Sequence, residues 1–248
     1  MYLRAKDKND SFSEPDDSGN ISFAFTGSIA ASGNVMSLVD KDCAATAIPC
    51  DYCFSYLFED CSELTTAPEL PATTLAEECY GNMFCGCTKL TSAPDLPATT
   101  LANECYCFMF SDCSNLTTAP ELPVTTLADG CYRGMFYGCS SLTSAPALPA
   151  TTLEKECYWG MFSNCNELTT APELPATTLK ANCYKEMFQG CKKLNSITVH
   201  FVSWSPYNAT TDWVIAVKAT GDFYCPTLLD TSSPGASKNP SGWTVHKP

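Results

Sequence analysis

The chain has 248 residues, of which 45% are hydrophobic, so it holds the material for a folded core and wholesale disorder is excluded. Its 14 basic residues stand against 27 acidic ones, a net charge of −13 with no Lys/Arg cluster, which argues against a nucleic-acid backbone or an anionic membrane surface as partner. No apolar run approaches the roughly 20 residues that a bilayer-crossing helix needs.

At the amino terminus, Tyr2 to Ala5 reads as a strand entered in mid-sequence, and Met1 to Asp7 lacks the apolar core of a signal peptide. Trimming of a longer chain is favoured over a cytosolic protein. Ile21 to Thr26 then alternates like a half-buried strand, with a turn at Gly33-Asn34, so residues 1–37 are expected to form an amino-terminal β cap. Residues 38–63 form a degenerate adapter copy of the repeat unit that opens at Leu64, keeping Cys53, Leu57, Phe58 and Cys61 in register.

From Leu64 to Lys193 a 26-residue repeat returns five times without insertion or deletion, opening at Leu64, Leu90, Leu116, Leu142 and Leu168. A unit this short cannot bury its apolar face alone, whereas stacked copies share one core. Each copy begins with a Leu-Thr-Thr/Ser-Ala-Pro segment that suits one short strand, curtailed by prolines that supply no N–H. A threonine corner comes next, at Thr73 and Thr74 in the first copy. Cys79, Met83, Phe84 and Cys87 then fall at i, i+4, i+5 and i+8, which predicts one face of a short helix that ends near Gly86. The expected fold class is an α/β repeat solenoid with one short parallel strand and one short helix per repeat, β-containing caps at both ends, and about 30 Å of length at ~4.8 Å per strand. Residues 194–248 are the terminal strand and carboxy-terminal cap: Leu194 to Val202 extended, a helix at Asp212 to Ala219, a strand at Asp222 to Cys225, a loop from Asp230 to Ser241, and a closing strand at Trp243 to Val245.

The register Leu-x-x-Ala-Pro-x-Leu-Pro-Ala-Thr-Thr-Leu-x-x-x-Cys-Tyr-x-x-Met-Phe-x-x-Cys resembles the BspA-like leucine-rich repeats of bacterial surface proteins, in the cysteine-rich subclass of gut-dwelling anaerobes. Ala31 to Leu38, Gly221 to Pro226 and Gly242 to Val245 extend the resemblance beyond the array. It implies a curved right-handed solenoid, a location outside the cell or on its surface, and adhesion to a host protein or polysaccharide, with no shared catalytic residues. A monomer without cofactor is expected. The absence of a signal peptide and of an upstream domain departs from longer members of that family.

Seventeen cysteines would suggest a disulfide scaffold in a short secreted chain. Here twelve form two ladders, one of Cys53, Cys79, Cys105, Cys131, Cys157 and Cys183, the other of Cys61, Cys87, Cys113, Cys139, Cys165 and Cys191. Eight residues along a helix is ~12 Å, beyond the ~7 Å Cα limit of a disulfide. Buried free thiols are therefore expected, with Cys85/Cys107 and Cys43/Cys50 as candidate bridges. The cysteine spacing does not match structural zinc usage, and no metal site is expected. Glu69, Asp95, Glu121 and Glu173 recur at one repeat position, which suits a solvated acidic stripe better than a calcium site. His200 and His246 have no nucleophile placed for them by spacing and are expected at a surface or edge.

The candidate ligand-binding residues are Phe108, Arg133, Tyr137 and Trp159, large side chains at positions that other copies fill with Gly, Asn, Ser or Lys. Because other copies tolerate small residues there, their removal is expected to leave the scaffold unaffected. The expected function is a non-enzymatic recognition or adhesion module. The alternatives are a structural spacer or stalk and, less favoured, a carbohydrate-active enzyme using a carboxylate pair such as Glu69 and Asp95.

Overall fold

A computed structural model describes residue 23, residues 27–40 and residues 42–248; the expected strands at Tyr2 to Ala5 and over most of Ile21 to Thr26 lie outside them. The described chain is mostly non-helical, with two small parallel sheets. Its strands are β1 (Ile29–Ala30), β2 (Leu64–Thr66), β3 (Ser196–Thr198), β4 (Asp222–Tyr224) and β5 (Thr244–His246). β1 pairs with β2, and β3, β4 and β5 form a sheet in that order, all parallel. One 3₁₀ turn, Val35–Leu38, is opened by Asn34, whose side chain accepts from the Met36 amide.

The segments opening at Leu90, Leu116, Leu142 and Leu168 do not extend into strands. Isolated parallel bridges join Ser92 with Thr118 and Thr170 with Ser196, and the segment opening at Leu142 forms none among the described residues. Proline keeps every such segment short, the three-residue β2 included: in each copy two prolines sit within eight residues of the opening leucine, and each removes an amide from the ladder.

The helix expected at Cys79 to Cys87 is absent, and so is the one expected at Asp212 to Ala219. The amides there divide into two alternating sets. Those of Tyr80, Asn82, Phe84 and Gly86 donate to the carbonyls of Cys105, Cys107, Met109 and Ser111 in the next copy, at 2.8–3.0 Å. Those of Gly81, Met83, Cys85 and Cys87 donate three residues back, to Glu78, Tyr80, Asn82 and Phe84. The backbone is thus a run of four-residue turns, each with one residue at positive φ: Glu78 (47°), Asn82 (52°) and Gly86 (72°). Two residues point inward and two outward in every four. Over two turns this pattern differs from a 3.6-residue period by less than one residue, so the apolar spacing alone does not separate the two. What decides is the neighbouring copy, whose carbonyls take half the amides an isolated helix would have used itself.

The same bonds tie the whole array together. Phe54, Tyr56, Phe58 and Asp60 of the adapter donate to Cys79, Gly81, Met83 and Cys85. Tyr184, Glu186, Phe188 and Gly190 donate to Ala209, Thr211, Trp213 and Ile215, so the segment read as a cap helix runs as one more copy of the turn pattern. Asp212 and Ala216, four residues apart, hold the matching positive φ.

Side chains repeat with the backbone. Tyr80, Tyr106, Tyr132, Tyr158 and Tyr184 stack at 5.8–6.0 Å. Phe58, Phe84, Phe110, Phe136, Phe162 and Phe188 stack beside them at 5.5–6.0 Å, in both columns within 10° of parallel. Such pairs add about 0.5–1.5 kcal/mol each beyond the area they bury. At the carboxy-terminal end the columns close on a knot of Phe201, Trp204, Trp213 and Phe223, in which rings meet at 20–86° instead of in parallel.

All twelve ladder cysteines are buried and every cysteine is a free thiol, including both candidate pairs. The second ladder has a use that spacing does not reveal. Sγ of Cys87, Cys113, Cys139 and Cys165 lies 3.1 Å from the carbonyl oxygen of Phe58, Phe84, Phe110 and Phe136, and Cys191 3.0 Å from that of Phe162. Each of these carbonyls also accepts an amide from the cysteine three residues ahead of it. Cysteine therefore fills a small apolar site and donates to the carbonyl's second lone pair, which alanine could not do.

Candidate functional site

The outward residues of the turn segments form a face on which composition varies from copy to copy. The structure brings all four candidate residues together there. Phe108 meets Tyr137 edge to face at 6.5 Å, and the Arg133 guanidinium lies 5.7 Å from the Phe108 ring centre and 4.0 Å from that of Trp159. Phe108 leans over Gly134, where any Cβ would collide with its ring. Bare glycine at one copy is thus the counterpart of a large residue in the copy before it.

Four residues that sequence reasoning missed complete the group. The Lys185 ammonium lies 4.3 Å from the Trp159 ring, while Glu186 accepts from the indole N–H at 3.2 Å and pairs with Lys185 at 3.7 Å. Glu156 pairs with Arg133 at 3.6 Å and Lys155 at 3.3 Å. Arg133, Trp159 and Lys185 occupy the same position in three successive copies, a signal that is present in the 26-residue register but carries meaning only once adjacent copies are known to touch.

This arrangement revises the expectation that all four residues are free for a ligand. Cations occupy the Trp159 ring, its N–H is engaged, and Phe108, Arg133 and Trp159 are half-buried. Only Tyr137 is exposed, at 37%. The expectation that the scaffold ignores these positions is revised with it, because cation–π contacts are worth about 0.5–2 kcal/mol each.

Nearer the amino-terminal end the face is acidic. Burial first, and then Glu78, push the Tyr52 hydroxyl up to about 12. Glu78 itself is raised by burial, and Glu59 by burial and then by Asp60. Glu69, Asp95, Glu121 and Glu173 are all exposed on a different side, and Glu173 pairs with His200 at 2.6 Å. His246 bonds Asp222 at 2.7 Å and stacks on Tyr224 at 4.6 Å. Neither histidine has a nucleophile among its hydrogen-bond partners in the described residues. Among those residues no three His, Cys, Asp or Glu side chains converge as a metal site requires, and no helix is long and apolar enough to cross a membrane.

No known protein family, curated protein or solved structure matches the chain.

Proposed function

We propose that the chain is a leucine-rich-repeat-like solenoid that acts as a non-enzymatic recognition module at a bacterial surface, engaging a host protein or glycan through its variable turn positions. The observation that carries this reading is the gathering of Phe108, Arg133, Tyr137 and Trp159 from three successive copies into one contiguous group. In this reading Tyr137 is the contact residue, held by Phe108, which Arg133 ties to the stack of Trp159 and Lys185. A pre-ordered surface loses less side-chain entropy on binding, which favours affinity.

A panel of immobilised extracellular matrix proteins and glycans, probed with the full chain and with Tyr137→Ala, tests it. Loss of more than ~1 kcal/mol of binding in the variant supports the patch. Unchanged binding discards the patch, and a chain that binds no member of the panel supports the spacer reading. Hydrolysis of a polysaccharide that co-purifies with the chain would revive the enzyme reading.

A further inference from the structure

The described residues expose five large hydrophobic side chains, and four of them, Val202, Tyr207, Tyr224 and Leu228, lie beyond the repeats. Three of these, Val202, Tyr207 and Leu228, border one open cleft of about 460 Å³. Tyr207 is 91% exposed and Leu228 80%, far more than Tyr137 on the repeat face, and neither is packed into the core of the described residues. Exposed apolar groups concentrated at one concavity mark a binding surface more strongly than the same groups scattered.

The rest of the cleft is lined by Trp204 and by the polar residues Ser203, Ser205, Asp230 and Lys238. Trp204 sits at its base, donating to the Asp230 carbonyl at 2.6 Å and packed edge-on against Phe201 at 5.2 Å and Trp213 at 6.1 Å. Asp230 spends one carboxylate oxygen on Ser232, whose amide and hydroxyl lie at 3.0 and 2.7 Å, and these bonds hold its carboxyl below the ordinary range. Its second oxygen is left for a ligand. Lys238 lies near enough to Asp230 to help hold its carboxyl low, and Ser203 and Ser205 add hydroxyls to the lining.

We propose that this cleft binds a neutral saccharide. One carboxylate and one ammonium give its border no net charge, in a chain that is otherwise strongly acidic, so neither a cationic nor an anionic ligand is selected. A sugar ring presents a C–H face and a rim of hydroxyls. Tyr207 supplies the flat apolar surface for the first, and Asp230, Lys238 and the serines supply acceptors and donors for the second. The site is separate from the repeat face, and either can fail without the other.

The test is a titration of the full chain with maltohexaose, laminarihexaose and triacetylchitotriose, read by saturation-transfer NMR and tryptophan fluorescence. At least one should bind saturably with a Kd of about 1 mM or tighter. Tyr207→Ala should weaken it about tenfold, while Tyr207→Phe, which keeps the ring, and Lys192→Ala, an exposed position outside both proposed sites, should leave it within about twofold. Tyr207 is 91% exposed, so both of its substitutions leave the core untouched. The proposal is overturned if no oligosaccharide of the panel gives a saturable signal, if Tyr207→Ala binds as tightly as the parent, or if a leucine-rich amphipathic peptide occupies the cleft while the sugars do not.

Discussion

The repeat array and the carboxy-terminal segment use the same backbone scheme and treat their large side chains in opposite ways. In the array three of the four large residues singled out on the variable face are answered by the next copy, Phe108 by Gly134, Arg133 by Trp159 and Trp159 by Lys185, while Tyr137 packs back on Phe108 and stays exposed. Beyond Leu194 the copies are irregular, aromatic rings meet at steep angles, and Tyr207 and Leu228 stand uncovered among the described residues. A stack of near-identical units satisfies itself by translation, because whatever one copy presents the next is placed to receive. Where the translation breaks, groups are left over for a ligand.

The largest effect expected from breaking this self-satisfaction lies in the core columns. Phe136 is stacked on both sides, and Phe136→Ala should cost about 3–5 kcal/mol in thermal or denaturant unfolding. Tyr207→Ala should cost under about 0.5 kcal/mol in the same assay. Similar losses from the two would refute the division between the regions.

The ladder thiols sharpen the same contrast through pH. Burial pushes Cys79, Cys131 and Cys191 up to about 12 from an ordinary value of 9.0. Above pH 9 the unfolded chain has released these protons and the folded chain has not. The unfolded state therefore binds fewer protons, and stability falls as pH rises from about 9 to 12. Alkaline unfolding in that window, with at least about ten thiols titratable only after denaturation, is expected. A thiol count near one would show a disulfide scaffold instead.

A third test acts on the alternation of side chain and glycine between copies. The Asp112 carboxylate occupies the space where a Cβ of Gly138 would be, and Gly138 holds φ +70°. Gly138→Ala should cost about 1–2 kcal/mol from the left-handed backbone alone, and more with Asp112 in place. Adding Asp112→Gly should recover the excess. Strict additivity of the two changes would show that adjacent copies do not meet there.

A smaller effect within the array concerns Trp159. Losing its two cation–π contacts should lower stability by about 1–2 kcal/mol, where the array's tolerance of small residues at that position predicts none. Unfolding of Trp159→Ala beside Trp159→Phe, which keeps a ring, separates the contacts from the bulk.

The 26-residue period, the inward columns of Leu, Tyr, Met, Phe and Cys, and the parallel pairing of neighbouring copies were all legible in the sequence, because a strict repeat states its neighbours in advance. The twelve in-register cysteines announced burial in the same way. The turn conformation was not legible from apolar spacing, since four-residue turns and a helix put the same side chains inward over eight residues. A clue lay in Gly130, Gly134 and Gly138, whose four-residue spacing suits a backbone that returns to positive φ at that interval. Which large outward residues are free and which are covered was decided by tertiary structure alone. Trp159 and Tyr207 look alike as exposed aromatics in one dimension. They differ because stacking places Lys185 over the first, while the irregular turn at the end of the array leaves the second facing water, and that difference depends on distances between copies that no single copy encodes.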